Sequence, residues 1–186
     1  MNITRTAITR SLLVAALVGA VPATTATTSA QAAPYCGITW GSLAKTKALA
    51  PTGSVTGVRS GRHACFDRLV IDLKGKSPGY TVKYVTTFTS QASGLPISLR
   101  GAGKLQVTVN APAYNPATGA PTYTPRNRSE VVDVTGYTTF RQVKWDSSFE
   151  GYTSLGLGVR ARLPYRVFTI QDGTTRRLVI DVAHRW

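Results

Sequence analysis

The stretch DRLVIDL, residues 67–73, returns near the end of the chain as RRLVIDV, residues 176–182, so that RLVID occurs twice, 109 residues apart. In both copies the Leu and Ile point one way and the Arg, Val and Asp the other, because successive strand side chains face opposite sides. Arg68 and Asp72 lie four residues apart, about 13 Å along a strand, and cannot pair within it. Antiparallel neighbours with Val70 opposite Val179 would set Arg68 against Asp181 and Arg177 against Asp72. The same register in parallel would oppose like charges. Direct pairing, if it occurs, is therefore antiparallel. The other reading is that two strands of similar environment carry similar residues and never touch. Residues alone leave both open.

Strand character extends outward from these two stretches. Residues 63–73, 80–84, 104–110, 130–134, 138–145, 149–159, 165–170 and 176–182 alternate apolar with polar, punctuated by Gly, Pro and Asp-Gly. Asp172-Gly173 ahead of the last stretch predicts a hairpin. One helical turn fits within residues 42–49. Around ten short strands with frequent turns read as an all-β sandwich or barrel. Residues 110–129 break the pattern, with Pro112, Pro116, Pro121 and Pro125 set around Tyr114 and Tyr123. An irregular stretch of that length inside a compact domain is either functional or a solvated insertion.

Residues 1–32 read as a secretory signal rather than as part of the fold. Arg5 and Arg10 form a positive start, residues 11–20 a short apolar run, and Ala30-Gln31-Ala32 a cleavage site. The apolar run is too short to span a bilayer, so no transmembrane segment is expected. Cys36 follows Ala33-Pro34-Tyr35 and lacks a lipoprotein box. Residues 33–186 then make one domain, secreted and extracellular or wall-associated. Cys36 and Cys65, an even pair in an oxidising compartment, are expected to form one disulfide.

Without residues 1–32 the chain carries 20 basic and 8 acidic side chains, a net charge of +12. Such a surface attracts polyanions. Export argues against nucleic acid and for teichoic acids, anionic lipid or peptidoglycan carboxylates. The run Gly156-Leu157-Gly158-Val159-Arg160-Ala161 has the letters of a dinucleotide fingerprint, but Pro164 and a new strand follow where a helix is required. There is no G-x-S-x-G elbow, and His63 and His184 are the two histidines, with no zinc-type spacing. Neither a catalytic set, a metal site nor a cofactor is expected. Arginines interleaved with aromatic residues offer forks for carboxylate or phosphate. The candidate binding surface is Arg62, His63, Glu150, Tyr152, Arg160 and Arg166.

Taken in order, Cys36, Trp40-Gly41-Ser42, VRSGRHACFDRLVIDL, GYTVKYV, FEGYTSLGLGVR, YRVF and RRLVIDVAHRW resemble the AMIN-like domain of secreted actinobacterial proteins, over about residues 36–186. That domain is similar to the AMIN module, a β-sandwich that directs wall amidases and secretins to peptidoglycan. The resemblance implies an all-β, wall-associated binding domain and transfers no site residues. The expected function is non-enzymatic binding of peptidoglycan or an anionic wall polymer. The alternatives are a module docking a secreted protein partner and, third, a small wall hydrolase using Glu150 or His63.

Overall fold

A computed structural model describes residues 33, 35–51 and 53–186, so the signal-peptide reading of residues 1–32 falls outside it. A 3-10 turn at Tyr35–Gly37 leads into β1 (Lys45–Lys47), β2 (Ser54–Arg62), β3 (Phe66–Lys74), β4 (Tyr80–Tyr84) and β5 (Gly103–Val109). Then come β6 (Phe140–Phe149), β7 (Tyr152–Val159), β8 (Tyr165–Asp172) and β9 (Thr175–Ala183). One sheet has the order β1-β4-β5-β7-β6 and the other β2-β3-β9-β8. Every pairing is antiparallel. Inward residues of both sheets share one apolar core: Leu69, Ile71 and Leu73 with Leu178, Ile180 and Val182 on one side, Leu105, Val107, Leu155 and Leu157 on the other. The expected all-β sandwich is found, with nine strands among the described residues where about ten were expected.

The repeated stretches are central neighbours. In the β3–β9 ladder Val70 stands opposite Val179, Arg68 opposite Asp181 and Asp72 opposite Arg177. The reading in which they never meet is excluded. Asp181 is fully buried. Its Oδ1 accepts from Arg68 Nε at 2.6 Å and its Oδ2 from Arg166 Nε at 2.8 Å. Asp72 binds Arg59 at 2.9 Å and lies 3.5 Å from Arg177. The outer face of this sheet is thus a lattice of charge pairs, set by the period-two alternation. The hairpin at Asp172-Gly173 is also present, with Asp172 paired to Thr175.

Several sequence expectations need correction, among them the strand read at residues 149–159, which a turn at Glu150-Gly151 divides between β6 and β7. Residues 42–49 hold no helical turn. Lys45–Lys47 is a strand on the edge of β4, and the Tyr165 hydroxyl donates to the Leu43 carbonyl at 2.8 Å just ahead of it. Residues 54–62 form a strand that alternation did not show, because Gly57 and Gly61 replace outward side chains and a bulge lies between Val55 and Gly57. The strand assigned to residues 63–73 begins only at Phe66, since His63 N bonds Phe66 O at 3.0 Å and closes a turn. Residues 130–134 run beside β6 through Val131 N to Val143 O, then turn at Asp133, whose carboxylate accepts from Thr135 N. The 110–129 stretch is ordered, with a bridge between Tyr114 and Pro121 and a Thr122 hydroxyl bond to Val55 O at 2.7 Å.

The dinucleotide-like glycines have a packing role. They lie on the outer face of β7, where the chain between β4 and β5 crosses and buries Phe88 completely. A Cβ on Gly156 would stand 2.8 Å from the Phe88 ring, and one on Gly158 would stand 1.8 Å from Arg100 O. Backbone cannot yield as a flexible side chain can. Gly158→Ala is therefore expected to lower stability by about 3 kcal/mol, read as the urea midpoint at constant slope. An unchanged midpoint would contradict this packing.

Tyr165 sits between the sheets, fully buried, with its hydroxyl 2.7 Å from Val82 O. Burial, and secondarily Tyr84, push its ionisation up to about 12 from the usual tyrosine value of about 10. The unfolded chain loses this proton first, so stability is full below pH 10 and declines as pH rises towards 12. Urea midpoints should fall across that window, and Tyr165→Phe should flatten the fall. An equal fall in the variant would assign it to other groups.

Candidate functional site

One end of the sandwich gathers segments that are distant in sequence. The β3–β9 ladder ends at Phe66 opposite Ala183, and continuing its register brings His184 N to Cys65 O at 3.0 Å. The Cys36–Cys65 disulfide, closing 29 residues, ties Tyr35 to the same place. Closing a loop of that length contributes roughly 3–4 kcal/mol in the chain-entropy picture. Asp67 faces inward with Leu69 and Ile71 and is fully buried. Its Oδ2 accepts from Thr139 N at 2.6 Å and Phe140 N at 3.0 Å, which fixes the start of β6 and the neighbouring Thr138. The His184 ring lies 3.0 Å from the Thr139 hydroxyl through Nδ1, and its Nε2 donates to His63 O at 2.9 Å.

Between these segments lies a cleft of about 900 Å3, lined by Tyr35, Arg62, His63, Thr138, Arg160 and Arg185 among others. Each of the three arginines is positioned by a neutral group. Arg62 donates to Gly136 O at 3.3 Å, Arg160 donates to His184 O, and the Arg185 guanidinium sits 4.6 Å from the Tyr35 ring centre. No Asp or Glu is among the lining residues. By contrast, Arg59, Arg68, Arg100, Arg166 and Arg177 all make ion pairs with carboxylates. A guanidinium carries five N–H donors, so one carbonyl contact leaves most of them free. The cleft therefore presents positive charge that makes no ion pair, although Asp67, buried behind it and bonded to Thr139 and Phe140, stands opposite Arg62 in the β2–β3 ladder.

The six residues of the expected surface fall in three places. Arg62, His63 and Arg160 share the cleft. Arg166 lies beside it on the outer face of the β2-β3-β9-β8 sheet, 4.4 Å from the Trp40 ring centre, with its charge directed to Asp181. Stacking of His63 on Phe66 at 4.5 Å, and of Arg166 over Phe66 at 5.6 Å, joins the two regions. Glu150 and Tyr152 stand at the other end of β6, whose ten residues span roughly 30 Å. Glu150 has φ 49° and Gly151 φ 83°, the pair of left-handed residues that a two-residue hairpin turn demands. Glu150 and His63 are thus at opposite ends of the sandwich, which removes any acid–imidazole pairing between them.

Sequence reasoning missed Tyr35, Thr138 and Arg185 as neighbours of Arg62. The signals existed. The disulfide brings Tyr35, and extending the Val70–Val179 register places His184-Arg185 beside Cys65-Ala64. The 110–129 stretch borders a separate hollow of about 560 Å3 where Tyr123 and Trp145 stand 5.5 Å apart and Phe149 is exposed.

Among the described residues no group of three or more His, Cys, Asp or Glu could hold a metal ion, and no helix is long and apolar enough to cross a membrane. Comparison with curated proteins and with solved structures finds no match. The AMIN-like domain model matches residues 53–184, from β2 to the cleft residue His184, leaving Cys36 and Trp40 outside the matched span. On that match, which covers most of the sequence, the chain belongs to the AMIN-like domain family.

Proposed function

We propose that this chain is an exported, non-enzymatic module that binds anionic polymer of the bacterial cell wall through the basic end of its sandwich. The observation that carries this reading is the cleft holding Arg62, Arg160 and Arg185 with no Asp or Glu in its lining. Family membership supports a wall context, and the secretory character of residues 1–32 supports export. Arginine donates from a planar fork to carboxylate or phosphate, and three such forks in one recess favour a polyanion over a single small ion. The rim exposes His63, stacked on Phe66, which continues the surface towards Arg166 and Trp40.

The test is co-sedimentation of the purified protein with isolated walls at low and high salt. Surface charges act over only about 8–10 Å near physiological ionic strength, so the bound fraction should fall as salt rises. The double variant Arg62→Ala, Arg160→Ala should weaken binding about tenfold, equivalent to about 1.4 kcal/mol. Failure to bind walls at low salt would overturn the proposal, and full binding by the double variant would move the site elsewhere.

A further inference from the structure

Resting on that wall-binding reading, we infer that the cleft selects phosphodiester-linked polyanions and rejects the zwitterionic peptides of peptidoglycan. The cleft is lined by cationic and neutral groups. Its polar side chains include the guanidiniums of Arg62, Arg160 and Arg185, the His63 ring, and the Tyr35 and Thr138 hydroxyls. Nothing in this set is an anion. A stem peptide carries ammonium groups alongside its carboxylates, and docking it would bring an ammonium among three guanidiniums with no carboxylate to receive it. Like charges set together across an interface are a strong means of excluding a partner.

A phosphodiester chain has no such conflict. Each unit carries one negative charge on two non-bridging oxygens that only accept hydrogen bonds, the counterpart of an arginine fork. The arginines are also held ready. Contacts to Gly136 O, to His184 O and to the Tyr35 ring fix the three side chains without neutralising them. Less ordering is then left to be done on binding. The recess is broad and open along Tyr35, Arg62, Thr138, Arg160 and Arg185, a shape that suits a segment of chain rather than one enclosed phosphate.

The experiment is calorimetric titration of the purified protein, at low salt, with soluble poly(glycerol phosphate) and with soluble disaccharide-peptide fragments of peptidoglycan. The phosphodiester polymer should bind at least about tenfold more tightly than the fragments. Arg62→Gln, alone and with Arg160→Gln, should weaken the polymer, the double variant about tenfold, while Lys74→Gln with Lys76→Gln, exposed at the far end of β3, should change it by less than about twofold. The single variant guards against misfolding, since Arg62 is exposed and Arg160 is bonded to His184. Equal affinity for the fragments, or equal losses in the two double variants, would overturn the inference. Vesicles of phosphatidylglycerol in phosphatidylcholine separate a lipid headgroup from a free polymer, and tighter binding to vesicles would overturn the polymer as the source. If the protein sediments with walls but ignores the free polymer, this inference falls and the wall reading stands. If it does neither, both fall.

Discussion

The buried Asp181 carboxylate, gripped by Arg68 from β3 and Arg166 from β8, sets the register on which the structure depends. A shift of β3 against β9 by one residue would turn Leu69 and Ile71 out of the core and leave Asp181 without its arginines. Stranding a fully buried carboxylate without its partners is costly, more so than breaking a surface pair, even though Arg68 and Arg166 themselves reach solvent. The core and the charge lattice therefore demand the same alignment. That alignment carries Phe66 to Ala183 and His184 to Cys65, and so assembles the cleft at the end of the ladder.

Folding also divides the charges. Asp67 caps the backbone of Thr139 and Phe140, Asp146 accepts from Gln91 N, Asp133 from Thr135 N, and Asp72, Glu130 and Asp181 bind arginines. The acids are largely engaged in structure, whereas the basic residues outnumber them. The surplus is not spread evenly in effect. Three arginines that meet only carbonyls and a ring share one recess, while those on the outer sheet face are matched by carboxylates. Arg166 shows the difference. It lies near the cleft and is stacked on Trp40, yet its charge is answered by Asp181.

Much of this was legible in the residues. Alternation in DRLVIDL and RRLVIDV, with charge complementarity at the ends of RLVID, gives the direction and register of a pairing but leaves open whether the two strands meet, and the β3–β9 ladder shows that they do. Asp172-Gly173 predicted its hairpin, and two cysteines predicted their bond. β2 was hidden because glycines at its outward positions erase the period-two signal. Glu150 looked like an isolated functional acid, yet its left-handed backbone makes it a turn residue. The arginine-aromatic context of the sequence points to Arg62, His63 and Arg160, which the fold brings into one cleft. Tyr35 and Arg185 join only when the disulfide and the register are followed in three dimensions. Asp67 gave a different clue, being a polar residue at an inward position, and its capping role depends on a segment more than seventy residues away.

On the proposed reading, Arg62, Arg160 and Arg185, which share one recess and pair with no carboxylate, bind the polymer, while Arg68 and Arg166, both paired with Asp181, serve the fold. Side-chain Nε–Hε signals observed by NMR during titration with inorganic phosphate test it most directly. The signals of Arg62, Arg160 and Arg185 should move together and saturate while those of Arg68 and Arg166 stay fixed. Uniform small shifts of all the arginines, or movement led by Arg166, would contradict it.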